Sequence, residues 1–596
     1  MMKQKRIWVI CFVLLAISLV AAQCGGTAPA TEEKKAAEVA KPTEAKAEAA
    51  ATADLTPTPE VVDKENKLAE QPKYGGVFTT DKPDVSAPRT KPGGTYRAVQ
   101  TSDAVSFHPY LTTDSASSGY QGLVYAGSLL SPDENTLEYK PYMAEKYEIS
   151  DDGLTFTFYL RKNMQWSDGQ PLTARDYEWT YTQVMDPKHE YPYRSQVDFI
   201  KSYKALDDTT IQVKIDKIHA PALVNISGFI TPLPKHIWEK LSWDDPEKNP
   251  EINNPSVVSG PYKLVEWKRD QFIKFTANDK YWYHGAPNIT EYTIETIPDQ
   301  DVAFQKMKNN EVDSSAMTPE QLKEARTLDN VNVYEWWPAA AVWTYIGLNT
   351  REGFATHDLN IRHGLNYAID KELMTDQIWL GQAKRLCSIY PPTTWAYSPD
   401  VPCYEFSQDK SAEAFGKAGY TLKEGKLVNE KGEQLKLRLI YGPNTNPTRQ
   451  LLAESTQDFL KKVGIEVEVK GMEWASFLEA MQAKEPQWDL FIAAWQSGIE
   501  PHSQATVWAE ENIPQLNSTG YINAEMTKHF EEAAATYDVE ARKKAYAQVQ
   551  KILAEDSPYI FISYRKSNDA ENKRIKGIEP TTLGVGWNSE DWYIEE

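Results

Sequence analysis

Strict alternation of apolar and polar residues predicts half-buried strands early in this chain. Residues 155–161 read TFTFYLR, with Phe156, Phe158 and Leu160 on one face, and residues 211–216 read IQVKID with the same period of two. Farther along the period changes. Leu435, Leu437 and Leu439 predict a strand, Leu451, Leu452, Phe459, Leu460 and Val463 predict a helix closed by Gly464, and IEVEVK from Ile465 predicts the next strand. Strand, helix and strand in that order make a βαβ unit. A second unit follows through the helix EWASFLEAMQAK and the run WDLFIAAW, which ends at Trp495 and is apolar enough to be buried on both faces. A helix around 540–554, an apolar run over 559–564 and a tail rich in Trp and Gly complete the pattern. The fold class implied is α/β.

At 596 residues the chain is too long for one ordinary core, so two or more substructures are expected. A hydrophobic fraction of 41% and a charged fraction of 25% are those of a globular protein. The net charge of -21 repels phosphate backbones, which argues against nucleic acid as a partner.

The first residues follow another logic. Lys3, Lys5 and Arg6 precede an apolar run over 7–22 and small residues leading to Cys24, the order of an export signal whose apolar stretch is short for a membrane span. An uncleaved anchor is the alternative. Residues 1–24 resemble a bacterial lipoprotein signal, which implies diacylation of Cys24 and a membrane attachment through lipid. Gln23 departs from that pattern, where a small residue is preferred. No aromatic residue occurs over 25–73, and Ala, Glu, Lys, Pro and Thr dominate, so residues 25–92 are expected to form a flexible tether. The fold starts at Tyr74 (YGGVFTT) or at Gly93 (GGTYRAV); the Pro-rich stretch between them favours Gly93. Cys387 and Cys403 remain for the folded body, as a disulfide or as two thiols. No Cys or Cys/His spacing suggests a metal, and no cofactor is expected.

Longer motifs add a resemblance. Residues 131–187 end in the core WSDGQPLTARD at 166–176, followed by PKHIWEK at Pro234, SGPYKLVEWKRDQFIKFTANDKYW at Ser259, DLNIRHGLNYAIDKELM at Asp358 and KKVGIEVEVKGMEW at Lys461. In this order they resemble the peptide/nickel-type ABC solute-binding proteins, family 5, from Gly93 to the end of the chain. The resemblance implies a two-lobe periplasmic-binding-protein-like fold with an extra subdomain inserted in the first lobe. The first lobe would take 93–130, 254–346 and 565–596, the inserted subdomain 131–253, and the second lobe 347–564. The chain would cross between lobes near Gly347 and Tyr564, making a hinge that closes on ligand. It further implies a monomer outside the cytoplasmic membrane, partnered by an ABC permease and, through it, a cytoplasmic ATPase. Within the core motif, Ser167-Asp168-Gly169 reads as a turn and Thr173 as the cap of the following helix.

Ligands of open α/β sheets bind beyond the carboxyl ends of strands, which directs attention to the loop 496–502 after WDLFIAAW. In the peptide binders of this family the loop resembles W-x-x-D-Y, whose Asp pairs with the peptide α-ammonium; here Gly498 stands at that position, between Ser497 and a substitute carboxylate at Glu500. Glu500 is alternatively a solvated loop acid, and Trp495 is a stacking face or core. In SFHPYL, His108 replaces the acid of the family's L-D-P loop, as a ligand contact or, as is commoner for a lone His, a satisfied structural group. Trp337 and Tyr345, near the first crossing, offer stacking surfaces or pack the hinge. An oligopeptide is the leading ligand, an oligosaccharide the second, supported by 18 Trp and 32 Tyr, and a nickel chelate the third. A secreted hydrolase with paired carboxylates is the alternative of a different class. No enzyme is expected, because G-x-S-x-G, H-E-x-x-H and a phosphate-binding Gly-rich loop are absent.

Overall fold

A computed structural model describes the backbone of residues 76–78, and residues 85, 87–134 and 137–595. The signal, Cys24 and most of the tether lie outside the described residues. Three larger sheets, surrounded by helices, organise the rest.

A five-stranded antiparallel sheet runs in the order Gly76–Phe78, Ala144–Ile149, Thr155–Leu160, Thr210–Ile215, Ile200–Ala205. Its alternating strands bury Phe156, Phe158 and Leu160 on one face, as their period requires. The core motif beside it is structural. Gly169, at φ +85°, closes a turn on the Trp166 carbonyl at 2.9 Å, and Thr173 forms a capping box with Asp176 at the start of the helix Ala174–Met185.

The tether does not run to residue 92. Gly76 pairs with Ile149 at the sheet edge, and Arg89 donates to Asp591 at 2.7 Å and to the Tyr283 and Gly285 carbonyls. Those anchors are polar and far away in sequence, so apolar patterning gave no sign of them.

A seven-stranded sheet is assembled from the strand Thr95–Gln100, strands between 262 and 336, and Ser567–Asn572 near the end of the chain. A six-stranded sheet has the order Ala383–Arg385, Tyr559–Arg565, Val342–Leu348, Leu490–Gln496, Lys436–Tyr441, Glu466–Gly471. Its parallel part consists of the two βαβ units: Lys436–Tyr441 pairs with both Glu466–Gly471 and Leu490–Gln496. Asn446 caps the connecting helix Pro447–Lys462, with Pro447 in the first turn, and Gly464 takes φ +84° just past its end. Apolar side chains fill both faces, Trp343, Tyr345 and Phe561 on one and Ile346, Leu439 and Ile560 on the other.

The chain passes twice between these two sheets, at 337–341 and at Lys566. The first passage precedes Gly347, where the family resemblance placed it. Gly347 is instead inside the strand Val342–Leu348, paired on both sides, and an added Cβ would lie 2.3 Å from the Phe491 ring. Close packing, not hinge freedom, demands glycine there. Cys387 and Cys403, left open by the sequence, are joined in a disulfide with Cα atoms 5.1 Å apart. Among the described residues no helix is long and apolar enough to cross a membrane.

Candidate functional site

The carboxyl ends of Lys436–Tyr441 and Leu490–Gln496 lie beside both passages, where residues of the two sheet-bearing bodies face one another. A cavity of about 120 Å3 there is lined from one side by Gln300, Met317 and Asn568 and from the other by Thr344, Arg449 and Arg565. Its charges are all positive: Arg449, Arg565 and Lys566 line it, with no carboxylate among the lining residues. Arg449 sits in the first turn of Pro447–Lys462, where the helix dipole adds positive potential. Its guanidinium donates to the Gly442 carbonyl and lies 5.0 Å from the Trp474 ring. Packing around the group, reinforced by the like charge of Arg565, holds its pKa down at about 10.

A second cavity, of about 300 Å3, opens between the loop 105–114 with Glu190 and Pro192 on one side and the helix Trp474–Met481 with Gln515 on the other. Gln482 spans it, donating to Thr113 Oγ1 at 3.3 Å and to the Gln515 carbonyl at 3.0 Å. Its charged lining residues are Asp114, Glu190 and Glu479. Trp474, which lies against Arg449 of the basic cavity, is followed in sequence by Ala475 of the acidic one.

The two bodies also touch directly. Ser195 donates to Thr506 Oγ1 at 3.2 Å, Gln196 bonds to the same hydroxyl, and the Ala220 N–H donates to the Ala534 carbonyl at 2.7 Å. His219 meets His502 edge to face, with centroids 5.5 Å apart. Burial, and then the nearby Arg542, push His219 down to about 3; burial, with His219 and Arg542, lowers His502 strongly. Both rings are therefore neutral at the pH of any ordinary compartment.

The sequence-predicted residues fare unequally. Glu500 is not a free carboxylate: it accepts from Arg542 Nη2 at 2.5 Å and from the His502 N–H at 2.9 Å. Arg542 is fully buried and also donates to the Ala533 carbonyl and the Tyr546 hydroxyl, so Glu500 is engaged in neutralising an internal charge. Gly498 is tightly placed; a Cβ would lie 2.6 Å from Ser503 Oγ, so a side chain there requires Ser503 to move. Ser497 is buried, its N–H donating to the Ala341 carbonyl at 2.9 Å. His108 is buried between Trp238 and Trp243, its Nδ1 accepting from the Tyr110 N–H. Burial pushes its pKa to about 3, so it is a neutral core group and not a cleft contact.

Tyr345 is likewise internal, stacked on Tyr559 with centroids 3.9 Å apart. Trp337 lies in the first passage against Tyr564, with Lys384 4.7 Å from its ring. Trp495 is half-buried and its Nε1 donates to the Tyr559 hydroxyl at 3.5 Å. Arg449 and Arg565 were missed, although the strand-end rule that selects the loop 496–502 also selects the segment after Tyr441.

A family model described as "Bacterial extracellular solute-binding proteins, family 5 Middle" matches residues 138–512. Oligopeptide-binding protein AppA of Bacillus subtilis (strain 168) is 26% identical over 512 residues, covering 85% of this chain and 93% of the relative. Heme-binding protein A of Haemophilus influenzae is 25% identical over 501 residues, covering 80% and 88%. Among solved structures, that of AppA from Bacillus subtilis in complex with a nonapeptide superimposes with a TM-score of 0.79 at 26% identity, covering 86% of this chain and 100% of the other.

Proposed function

This chain belongs to the bacterial extracellular solute-binding proteins, family 5, and from that premise we propose that it captures oligopeptides between its two lobes for an ABC importer. The family is extracytoplasmic, and its two-lobe α/β fold is the fold of this chain. Delivery to a membrane permease driven by a cytoplasmic ATPase is the role we assign it, with export through residues 1–24 and lipid attachment at Cys24 keeping it beside the permease. In this reading it performs no chemistry on its ligand and acts as a monomer. Lobe I comprises 93–130, 254–336 and 567–595, lobe II 342–565, and the inserted subdomain 131–253.

The observation that carries the peptide reading is the basic cavity at the passages. Arg449, Arg565 and Lys566 line one small volume without a carboxylate among its lining residues. Like charges held together lower one another's stability, and a buried or half-buried cation is costly until it is paired. A ligand carboxylate would relieve that repulsion, accepting from the guanidiniums at the positive end of the helix Pro447–Lys462. Neutral sugars would leave the cations unpaired. Because the cavity is built from both lobes, a carboxylate held there favours the closed arrangement over the open one. Synthetic hexapeptides as free acids and as C-terminal amides test this by titration calorimetry. Amidation is expected to weaken binding ~30-fold or more, and Arg449→Gln to weaken the acids while leaving the amides little changed. Equal affinities of acids and amides for the unaltered protein would contradict the reading.

A further inference from the structure

The acidic cavity poses the converse problem. Asp114 caps the helix Ser115–Val124, its Oδ1 accepting from the Ser117 N–H at 2.9 Å. Capping needs one neutral oxygen; Ser, Thr or Asn would serve as well as Asp. The second oxygen, Oδ2, is buried without a hydrogen-bond partner in a residue only 4% exposed, and Asp114 lines the 300 Å3 cavity. A carboxyl oxygen so placed is costly to leave without a hydrogen-bond partner. Glu190 and Glu479, both solvent-exposed, line the same cavity, and no lysine, arginine or histidine does.

Three carboxylates, one with a buried oxygen lacking a donor, thus converge from both lobes. Resting on the reading of this chain as a peptide receptor, we propose that this cavity is a subsite for a cationic group of the ligand, which pairs with Asp114 in the enclosed part and with Glu190 and Glu479 at the rim. The cation is the peptide α-ammonium or a basic side chain; both present the same N–H donors to a carboxylate. This subsite takes the place of the acid missing at Gly498 and of Glu500, which Arg542 already occupies. Because Glu479 belongs to the second lobe and Asp114 to the first, a bridging cation also favours closure.

The test uses the full chain and two synthetic hexapeptide pools randomised at every position, one with free amino termini and one N-acetylated. Captured peptides are quantified and sequenced by mass spectrometry for the unaltered protein, for Asp114→Asn, which keeps the cap, and for Glu190→Gln/Glu479→Gln. The unaltered protein is expected to retain free-amine peptides, or Lys- and Arg-containing acetylated peptides, tenfold or more over neutral ones (~10-fold for a partly screened charge pair). Preference for the free pool identifies the α-ammonium as the cation, and enrichment of Lys and Arg within the acetylated pool identifies a side chain. Both variants should lose this preference while still capturing peptide. Capture of peptides without cationic preference, or a preference surviving in both variants, overturns the subsite and leaves the peptide reading standing. Capture of no peptide from either pool overturns the peptide reading and the subsite with it.

Discussion

Arg542 is enclosed in the second lobe, and the carboxylate that neutralises it is Glu500. Removing one member of such a pair leaves a charge stranded in a low-dielectric setting, which costs far more than the pair's net contribution. Glu500→Gln is therefore expected to destabilise the ligand-free protein by about 3 kcal/mol, read by chemical or thermal denaturation. An unchanged midpoint, with loss confined to ligand binding, would contradict the structural role. Neither reading of Glu500, as ligand carboxylate or as solvated loop acid, includes Arg542, because that partner lies 42 positions away and ion pairs at that range leave no local signature. Of the two readings of His108, ligand contact or structural group, the structural one is decided by Trp238 and Trp243, which enclose it and lie more than a hundred positions along the chain. Arg449 differs, since its place after a strand and at the start of a helix is visible in the sequence.

Strands and helices with a strong period were legible as elements. TFTFYL, IQVKI and the two βαβ units fall where their apolar spacing puts them, because one-sided or two-sided burial dictates that spacing. The passage between lobes was not legible to the residue. WWPAAAVWTYIGL is apolar nearly throughout, so nothing in its pattern separates the connecting segment from the strand Val342–Leu348; pairing partners decide it. The Cys387–Cys403 link belongs to this scale as well, since spacing permits a bridge and only the folded loop places the two residues together. It closes a loop with a sequence separation of 16, and opening it should cost about 3 kcal/mol through the gained freedom of the unfolded chain. A lower melting temperature in dithiothreitol, absent in a Cys387→Ser/Cys403→Ser double variant, checks this. Identical melting with and without reductant in the unaltered protein would contradict it.

In the molecule as a whole, two passages join lobes that also meet through Ser195, Gln196 and Ala220 on one side and Thr506 and Ala534 on the other. Between them lie a basic and an acidic cavity, each lined from both lobes. A zwitterionic chain spanning the two would pair charges at each end, and both pairs would exist only when the lobes are together. Closure is then the form in which ligand binding free energy is stored, and a permease that distinguishes closed from open distinguishes loaded from empty. The most direct measurement is competitive capture: the protein is incubated with an equimolar mixture of a protein digest and assorted oligosaccharides, washed, and denatured, and the released material is identified by mass spectrometry. Peptides with free carboxyl termini are the predicted product; release of oligosaccharides, or of no peptide, would contradict the account.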